Sequence, residues 1–181
     1  MTAPIDAGLA AALSAAIRDV ADFPMPGIGF KDITPLLHDP ALFRRTTEAM
    51  AAPWRGQGIV THVLGIESRG FIFGAPVAQS LGVSFVPIRK PGKLPWLRVT
   101  EPYTLEYGTD TLEVHRDALG AGAVALIVDD VVATGGTAAA AARLAQRCGA
   151  TVAAVTVVID LSFLPWRTKL AGWRVDTLVS F

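Results

Sequence analysis

Apolar residues along the chain fall into two patterns, short continuous runs and stretches with helical spacing. Four runs rich in Val and Ile are typical of strands that are buried on both faces, as in a parallel sheet. These runs are residues 59–66, 84–89, 126–131 and 152–159. Helical stretches lie between them at 70–81 and 137–148. The alternation predicts an α/β fold with a mostly parallel central sheet flanked by helices.

Two more helical patterns precede the first of these strands. Apolar residues recur at helical spacing in the first twenty positions, and Pro40 followed by residues 41–52 predicts a helix that begins at a proline. Between the two, residues 22–30 contain two prolines and two glycines and predict an irregular loop. A polar segment at 91–108 predicts a loop or hairpin over a site. Gly149 stands where the C-terminal glycine of a helix is expected.

Composition and charge narrow the class of protein. The 181 residues suffice for a sizeable core, and we expect a single domain over 1–181. Hydrophobic residues make up 51% and charged residues 18%, which is unlike a disordered chain. The 16 basic and 16 acidic residues cancel, so charge gives no reason to expect a nucleic-acid partner.

The sequence also carries signals about location. A membrane-spanning helix needs about 20 mostly apolar residues, and the most apolar runs, 121–128 and 152–159, are much shorter. The first residues lack the basic start and long apolar segment of a signal peptide. We therefore expect no membrane partner. The single cysteine, Cys148, cannot form an internal disulfide and fits a reducing cytoplasm.

The most informative segment joins a strand to a helix through small and hydroxyl-bearing residues. Its sequence after the apolar run is Asp129, Asp130, Val131, Val132, Ala133, Thr134, Gly135, Gly136 and Thr137. Small residues let the backbone wrap closely around a ligand, and the N–H groups at a helix N-terminus attract an anion. The segment therefore predicts a monophosphate site. It is not the P-loop, because the lysine that ends that motif is absent.

The two adjacent carboxylates, Asp129 and Asp130, need a separate explanation. Beside a phosphate site they would repel the ligand unless they face ribose hydroxyls, or a magnesium ion held together with substrate oxygens. The structural alternative is a strand end with solvated carboxylates and a glycine turn. The order of strand, acid pair, small-residue turn and helix favours the functional interpretation.

A second anion site is predicted after the strand at 59–66. Ser68, Arg69 and Gly70 follow that strand and open a helix, and a backbone turn with one arginine can hold a multiply charged anion. The alternative is an exposed surface turn. Ligands of open α/β sheets bind at the carboxyl ends of the strands, where both loops would lie. Two anion sites at neighbouring strand ends match a ligand that carries an anionic group at each end.

Three cations, Arg89, Lys90 and Lys93, follow the next strand within five residues. Alone they would indicate a solvated basic turn. Beside two anion loops, a role in holding an anionic ligand becomes the better interpretation. The three histidines, His38, His62 and His115, are scattered and show no metal-ligand spacing.

These segments together resemble the type I phosphoribosyltransferases. The run 125–137 is similar to the sequence with which that family binds phosphoribosyl pyrophosphate. Four further segments, at 23–35, 65–74, 88–95 and 105–108, resemble the adenine-specific members of the family. The likeness extends from about residue 23 to residue 159 in the order and spacing of the family.

The resemblance implies roles for residues around the base. Phe30 would stack on adenine, with backbone at Gly29 and Lys31 reading its edge and Val131 on its opposite face. Arginine is frequent in the family where this chain has Lys31, and a bulkier aliphatic residue where it has Gly29. Residues 1–35 would then be the N-terminal helix and a base-binding hood loop.

The same resemblance assigns the remaining site residues. Ser68, Arg69 and Gly70 would face the leaving diphosphate, and Arg89, Lys90 and Lys93 would reach diphosphate, in part across a homodimer interface. Glu106 and Tyr107 would belong to a mobile loop over 91–108, with Glu106 as proton donor or hydrogen-bond partner near the purine imidazole nitrogen.

The implied reaction is the transfer of ribose phosphate from phosphoribosyl pyrophosphate to adenine, giving AMP in purine salvage. Asp129 and Asp130 would stabilise the positive charge that develops on the sugar. The implied cofactor is Mg²⁺, held mainly through substrate oxygens and water.

Two alternatives stay open at this point. One is a transferase for guanine, hypoxanthine or xanthine. The other is a regulator that binds a phosphoribosyl group without catalysis. Such regulators usually carry a DNA-binding domain, and the roughly twenty residues before the family-like region are too few for one.

Overall fold

The computed structural model describes residues 6–104 and 108–181, which contain nine strands, six α-helices and one short 3₁₀ helix. The strands are β1 (Arg18–Val20), β2 (Phe30–Asp32), β3 (His62–Ile66), β4 (Ser84–Ile88), β5 (Arg98–Thr104), β6 (Thr109–His115), β7 (Val124–Val132), β8 (Thr151–Asp160) and β9 (Val175–Ser180). The helices are α1 (Ala7–Ala16), α2 (Thr34–His38), α3 (Pro40–Ala51), α4 (Arg69–Leu81), α5 (Gly136–Arg147) and α6 (Trp166–Lys169), with the 3₁₀ helix at Ala52–Trp54.

The centre of the fold is a five-stranded sheet in the order β4-β3-β7-β8-β9, and all of its neighbouring strands are parallel. In this register His62 of β3 lies opposite Ser84 on one side and Ala125 on the other. The predicted α/β fold with a mostly parallel central sheet is confirmed. Because the strands are parallel, the loops that follow β3, β4, β7 and β8 all lie at one edge of the sheet.

Two apolar layers cover the faces of this sheet. Successive side chains of a strand point to opposite faces, so Leu64 and Ile127 pack with α5 and the β5–β6 hairpin. Val63 and Leu126 pack on the other face with helices α1 to α4. The strands are apolar on both faces for this reason, which explains the continuous runs of Val and Ile.

The helix ends follow the local signals. Asp39 caps α3 by accepting hydrogen bonds from the N–H groups of Ala41 and Leu42, with Pro40 in the first turn. Gly149 follows α5 with φ of 88°, a left-handed conformation that glycine adopts without strain. No helix in the described ranges, 6–104 and 108–181, is long and apolar enough to cross a membrane.

Several elements differ from the sequence-based expectation. The strand expected at 59–66 begins at His62, and Ile59 is exposed. The apolar pattern did not predict the short β1–β2 hairpin, the helices α2 and α6, or the edge strand β9. Within the polar segment 91–108, residues 98–104 form β5, which pairs antiparallel with β6.

Candidate active site

Two cavities meet at the edge of the sheet where β3, β4 and β7 end. The first is polar and has a volume of about 320 Å³. One wall is formed by residues 129–138, a second by residues 67–69, and a third by Lys90 with Tyr103 and Asp110 of the β5–β6 hairpin. The strand ends thus bring together segments that lie far apart in the sequence.

The floor of the polar cavity contains the adjacent carboxylates. Asp130 is buried and Asp129 is half-buried, and Asp129 Oδ1 accepts a hydrogen bond of 2.9 Å from the Asp130 N–H. Burial, reinforced by the charge of Asp130, raises the pKa of Asp129 well above its usual range. Burial also raises the pKa of Asp130, against the opposing effect of the nearby Arg69 guanidinium.

Arg69 forms an ion pair with Asp130. The Arg69 Nε and Asp130 Oδ2 atoms are 3.0 Å apart. Among the described residues, however, Asp130 Oδ2 has no hydrogen-bond partner of acceptable geometry. A buried carboxylate oxygen is costly unless a nearby charge balances it, as the Arg69 guanidinium does here. Asp129 is the more exposed carboxylate of this floor, and it can accept hydrogen bonds from hydroxyl groups of a ligand.

The loop between β7 and α5 approaches its neighbours too closely for larger side chains. Gly135 has φ of 76°, and a Cβ atom there would lie 3.1 Å from Trp166. A Cβ on Gly136 would lie 3.1 Å from the Thr104 carbonyl oxygen of the hairpin. The loop can present its N–H groups to an anion at the start of α5 because its residues are this small.

The loop after β3 is joined to the loop after β4 by Glu67. Its Oε2 atom accepts hydrogen bonds from Arg89 Nε at 2.9 Å and from the Lys90 N–H at 2.8 Å. The Arg89 guanidinium holds the pKa of Glu67 below its usual range, although burial opposes this effect. The peptide bond between Glu67 and Ser68 is cis. Glu67 thus fixes the backbone from which Lys90 enters the polar cavity.

The second cavity is larger and mostly apolar, with a volume of about 700 Å³. Residues 27–31 of the loop and strand β2 form one wall, and Leu161, Phe163 and Leu164 after β8 form another. Phe23 contacts Phe30 edge to face, with ring centroids 5.0 Å apart, and supports that wall. A flat, largely apolar ligand fits between such walls better than a charged one.

The two cavities share Arg69, Val131, Ala133 and Thr134. The Arg69 guanidinium lies 4.9 Å from the centre of the Phe30 ring, within range of a cation–π contact. A single ligand can therefore extend from one cavity into the other past Arg69.

Known proteins match this arrangement over nearly the whole chain. A family model described as "Phosphoribosyl transferase domain" matches residues 33–174. A relative from Myxococcus xanthus, named adenine phosphoribosyltransferase, is 54% identical over 176 residues, which cover 97% of this chain and 95% of the relative. The chain belongs to the phosphoribosyltransferase family.

Solved structures agree with this assignment. The adenine phosphoribosyltransferase of Rhodothermus marinus is 49% identical with a TM-score of 0.92, and the match covers 97% of this phosphoribosyltransferase and 100% of that chain. The enzyme from Saccharomyces cerevisiae, solved with an imino-altritol bisphosphate and adenine, is 39% identical with a TM-score of 0.91. That match covers 96% of this chain and 99% of the yeast chain.

Most residues that the sequence analysis proposed for the site of this phosphoribosyltransferase lie on the cavity walls. The polar cavity is lined by Ser68, Arg69, Lys90, Asp129, Asp130, Val131, Ala133, Thr134, Gly135, Gly136 and Thr137. The apolar cavity is lined by Gly29, Phe30 and Lys31, together with Arg69, Val131, Ala133 and Thr134. The Lys31 ammonium pairs with Asp19 and lies 3.8 Å from the centre of the Phe181 ring.

Three of the proposed residues that the structure describes are not on these walls. Gly70 lies behind the acid pair, where a Cβ atom would be 2.6 Å from the Val128 carbonyl oxygen. Arg89 is engaged by Glu67 and lies 5.6 Å from the centre of the Phe71 ring, and Lys93 is exposed. Glu106 and Tyr107 lie outside the described residues. The roles proposed for these five residues stay predictions.

Sequence reasoning missed Tyr103 and Asp110 in the polar cavity and Leu161 and Phe163 in the apolar one. A signal existed for the second pair, because both residues follow a predicted strand of the parallel sheet and so lie at its carboxyl edge. Tyr103 and Asp110 reach the cavity through the hairpin, whose pairing the sequence pattern alone did not define.

Proposed function

We infer that this chain is an adenine phosphoribosyltransferase, which forms AMP and diphosphate from adenine and 5-phospho-α-D-ribose 1-diphosphate. The observation that carries the inference is the junction of a polar cavity with two anion loops and an apolar cavity, which meet at Arg69 and Thr134. The names of the Myxococcus and Rhodothermus relatives, and the adenine in complex with the yeast enzyme, support the choice of base. The product AMP places the enzyme in purine salvage.

The two anionic groups of the sugar substrate match the two loops. The start of α5, with Thr134 and Thr137 beside it, takes the 5′-phosphate, because N–H groups and hydroxyls converge there. The loop with Ser68 and Arg69, together with Lys90, takes the diphosphate. The ribose then lies over Asp129 and Asp130, and its hydroxyls donate hydrogen bonds to the more exposed of the two carboxylates, Asp129.

The reaction is a substitution at the anomeric carbon of the ribose. The bond from a ring nitrogen of adenine forms as the carbon–oxygen bond to diphosphate breaks, and the electron pair leaves on the diphosphate oxygen. Positive charge develops on the sugar ring, and the buried carboxylates stabilise it. Catalysis therefore depends on positioning and electrostatics. The proton lost by adenine passes to water or to the departing diphosphate, and Glu106 stays a predicted proton donor or hydrogen-bond partner near the purine imidazole nitrogen.

Adenine is held in the apolar cavity, with its ring against Phe30 on one side and Val131 on the other. Leu161 and Phe163 close the cavity from the loop after β8. Gly29 and Lys31 line this cavity, and the role proposed for their backbone groups is to read the edge of the base. The Lys31 ammonium is held by Asp19 and Phe181, so its role is to support this wall.

Mg²⁺ is the proposed cofactor. In residues 6–104 and 108–181, no three His, Cys, Asp or Glu side chains converge as a set of metal ligands. The residues present fit an ion that binds together with the substrate. Asp129 and Asp130 line the cavity beside the place that we assign to the ribose oxygens, and carboxylates are suitable ligands for Mg²⁺. When bound, Mg²⁺ would neutralise part of the negative charge on the diphosphate.

We also propose a homodimer in the cytoplasm. The single thiol, Cys148, fits a reducing compartment. Trp96 and Leu97 are 63% and 62% exposed beside Arg98, and an apolar surface of this kind is commonly covered by another subunit. Sedimentation of the purified protein should give a mass of about twice 19.0 kDa. A monomer at micromolar concentration would contradict the dimer.

A competition assay tests the proposed reaction. The purified protein is incubated with the sugar diphosphate, Mg²⁺ and adenine, guanine or hypoxanthine, and released diphosphate is measured. We expect release with adenine and its loss when Mg²⁺ is chelated. Release with guanine and not with adenine would contradict the proposed base. Binding of the sugar diphosphate without turnover of any base would indicate the regulator instead.

A further inference from the structure

An acidic side chain, Asp110, lies on the wall of the cavity that we assign to an anionic substrate. It is the second residue of β6 and reaches the cavity beside Lys90 and Tyr103. A carboxylate in this place would repel a diphosphate unless its charge is balanced. The acid pair on the cavity floor has a role at the ribose, whereas Asp110 lies on the side of Lys90, where the diphosphate is expected.

The Asp110 carboxylate is balanced by Lys90. The Lys90 Nζ and Asp110 Oδ2 atoms are 2.6 Å apart, and the Tyr103 hydroxyl donates a hydrogen bond of 3.2 Å to the same oxygen. The ion pair holds the pKa of Lys90 above its usual range and that of Asp110 below it. Both groups are therefore charged at neutral pH, and the ammonium that should bind diphosphate already has a partner.

We propose that Asp110 is a positioning residue that holds the Lys90 ammonium in the free enzyme and gives it up to the diphosphate group when substrate binds. This proposal rests on the function proposed above. Lys90 binds one anion or the other, so Asp110 competes with the substrate for it. The contact keeps Lys90 folded against the hairpin and inside the cavity until the sugar diphosphate arrives.

The geometry makes the exchange easy. The side chains of Lys90 and Asp110 are 51% and 21% exposed, and ion pairs with this much contact with water contribute little to stability. A diphosphate carries more charge than one carboxylate and attracts the ammonium more strongly. Glu67 holds the Lys90 backbone N–H at 2.8 Å, so only the flexible side chain needs to move.

The exchange links substrate binding to the β5–β6 hairpin. In the free enzyme the Lys90–Asp110 pair joins the loop after β4 to β6, next to the bridge between Arg89 and Glu113. When Lys90 turns to the diphosphate, this one tie is lost while the backbone bridge stays. Asp110 then keeps the Tyr103 hydroxyl, which prevents the carboxylate from being left unpaired.

Titration calorimetry with magnesium diphosphate tests the proposal without relying on turnover. Asp110→Asn should bind about threefold to tenfold more tightly than the wild type, because Lys90 no longer has a competing partner. Asp117→Asn is the matched control, since it removes the same charge from an exposed position beyond the far end of β6. Its affinity should stay within about twofold of the wild type. Both variants should melt at the wild-type temperature.

A double-mutant cycle separates exchange from simple repulsion. In a Lys90→Ala background, Asp110→Asn should improve binding by clearly less than it does when Lys90 is present. An equal improvement in both backgrounds would overturn the exchange, because repulsion alone would then explain it. Unchanged or weaker binding by Asp110→Asn would also overturn it. Failure of the wild-type protein to bind magnesium diphosphate would instead contradict the proposed function itself.

Discussion

The polar cavity and the apolar cavity are built in different ways. The polar one is formed by segments at the ends of the central strands β3 and β7, with its carboxylates inside β7 itself. The apolar one is formed by the β1–β2 region and the loop after β8, whose exposed side chains include Phe163 at 72%. The groups that we propose to act on the sugar are fixed by the core of the sheet, whereas the groups that we propose to select the base are carried by its periphery. Changes to the first should affect chemistry and, where the residue is tightly packed, folding as well, whereas changes to the second should affect only recognition.

The largest effect is expected for Asp130→Asn, which removes a negative charge from the floor of the polar cavity while keeping the shape of the side chain. Turnover should fall by about 10²-fold or more, because the charge that develops on the sugar loses a buried partner. The melting temperature should change far less. Steady-state kinetics and thermal denaturation of the same preparation check this.

Asp176→Asn is the matched control for that prediction. Asp176 is also a buried carboxylate paired with an arginine, Arg174, but it lies on β9 away from both cavities. It should lose stability and keep its turnover number. If Asp130→Asn behaves in the same way as Asp176→Asn, then Asp130 is a structural carboxylate and its proposed role is wrong.

A comparison of two glycines tests the difference in packing. A Cβ on Gly70 would lie 2.6 Å from the Val128 carbonyl oxygen and 3.0 Å from Asp129 Oδ1, whereas a Cβ on Gly29 would have no atom within 4 Å. Gly70→Ala should lower the free energy of unfolding by about 1–3 kcal/mol through overpacking and should also displace Asp129. Gly29→Ala should change the free energy of unfolding by less than about 0.5 kcal/mol. Urea denaturation measures both, and similar losses in the two variants would contradict the comparison.

A gain in stability is expected at Asp129. Because the pKa of Asp129 in the folded protein is raised, mainly by burial, its ionisation destabilises the fold as the pH rises above about 4, the usual range of the group. Asp129→Asn keeps an oxygen that can accept from the Asp130 N–H and removes this cost. The variant should melt at a higher temperature than the wild type at pH 7, and the difference should shrink toward pH 4. If the variant and the wild type melt at the same temperature at both pH values, then ionisation of Asp129 does not destabilise the fold.

The smallest effect is expected at the edge of the apolar cavity. Phe163→Ala should raise KM for adenine by about three- to tenfold, since one apolar contact to the base is lost. KM for the sugar diphosphate and the melting temperature should stay unchanged, because the side chain is exposed in the free protein. A fall in the melting temperature would show that Phe163 contributes to the core. It would contradict the statement that changes to the apolar cavity affect only recognition.

The sheet was predictable from the sequence because its strands are buried on both faces and read as continuous apolar runs. The edge strand β9 was not, because it contains the buried Asp176, which interrupts the apolar pattern. Strands β1 and β2 have three residues each, and their side chains are exposed or half-buried, so they leave no periodic signal. The β1–β2 hairpin is defined by its pairing, and pairing is not visible in a local pattern.

The candidate site divides in the same way. The residues of the polar cavity between Asp129 and Thr137 are contiguous in the chain, so this part of the site could be predicted from their order in the sequence. Asp110 and Phe163 reach the cavities through tertiary packing, and each on its own is typical of an ordinary surface residue. Gly70 was predicted as a site residue, but the structure gives it a packing role. A glycine is needed there because a Cβ atom would collide with the Val128 carbonyl oxygen, and no contact to substrate is required to explain it.

Because Arg69 lies between the two cavities, it can couple the binding of one substrate to the binding of the other. Its guanidinium contacts Asp130 in the polar cavity and the Phe30 ring in the apolar cavity. A ligand in one cavity that shifts this guanidinium therefore changes the contacts available to a ligand in the other cavity. Thermodynamic reciprocity then applies. Whatever factor the sugar diphosphate imposes on the affinity for adenine, adenine must impose on the affinity for the sugar diphosphate.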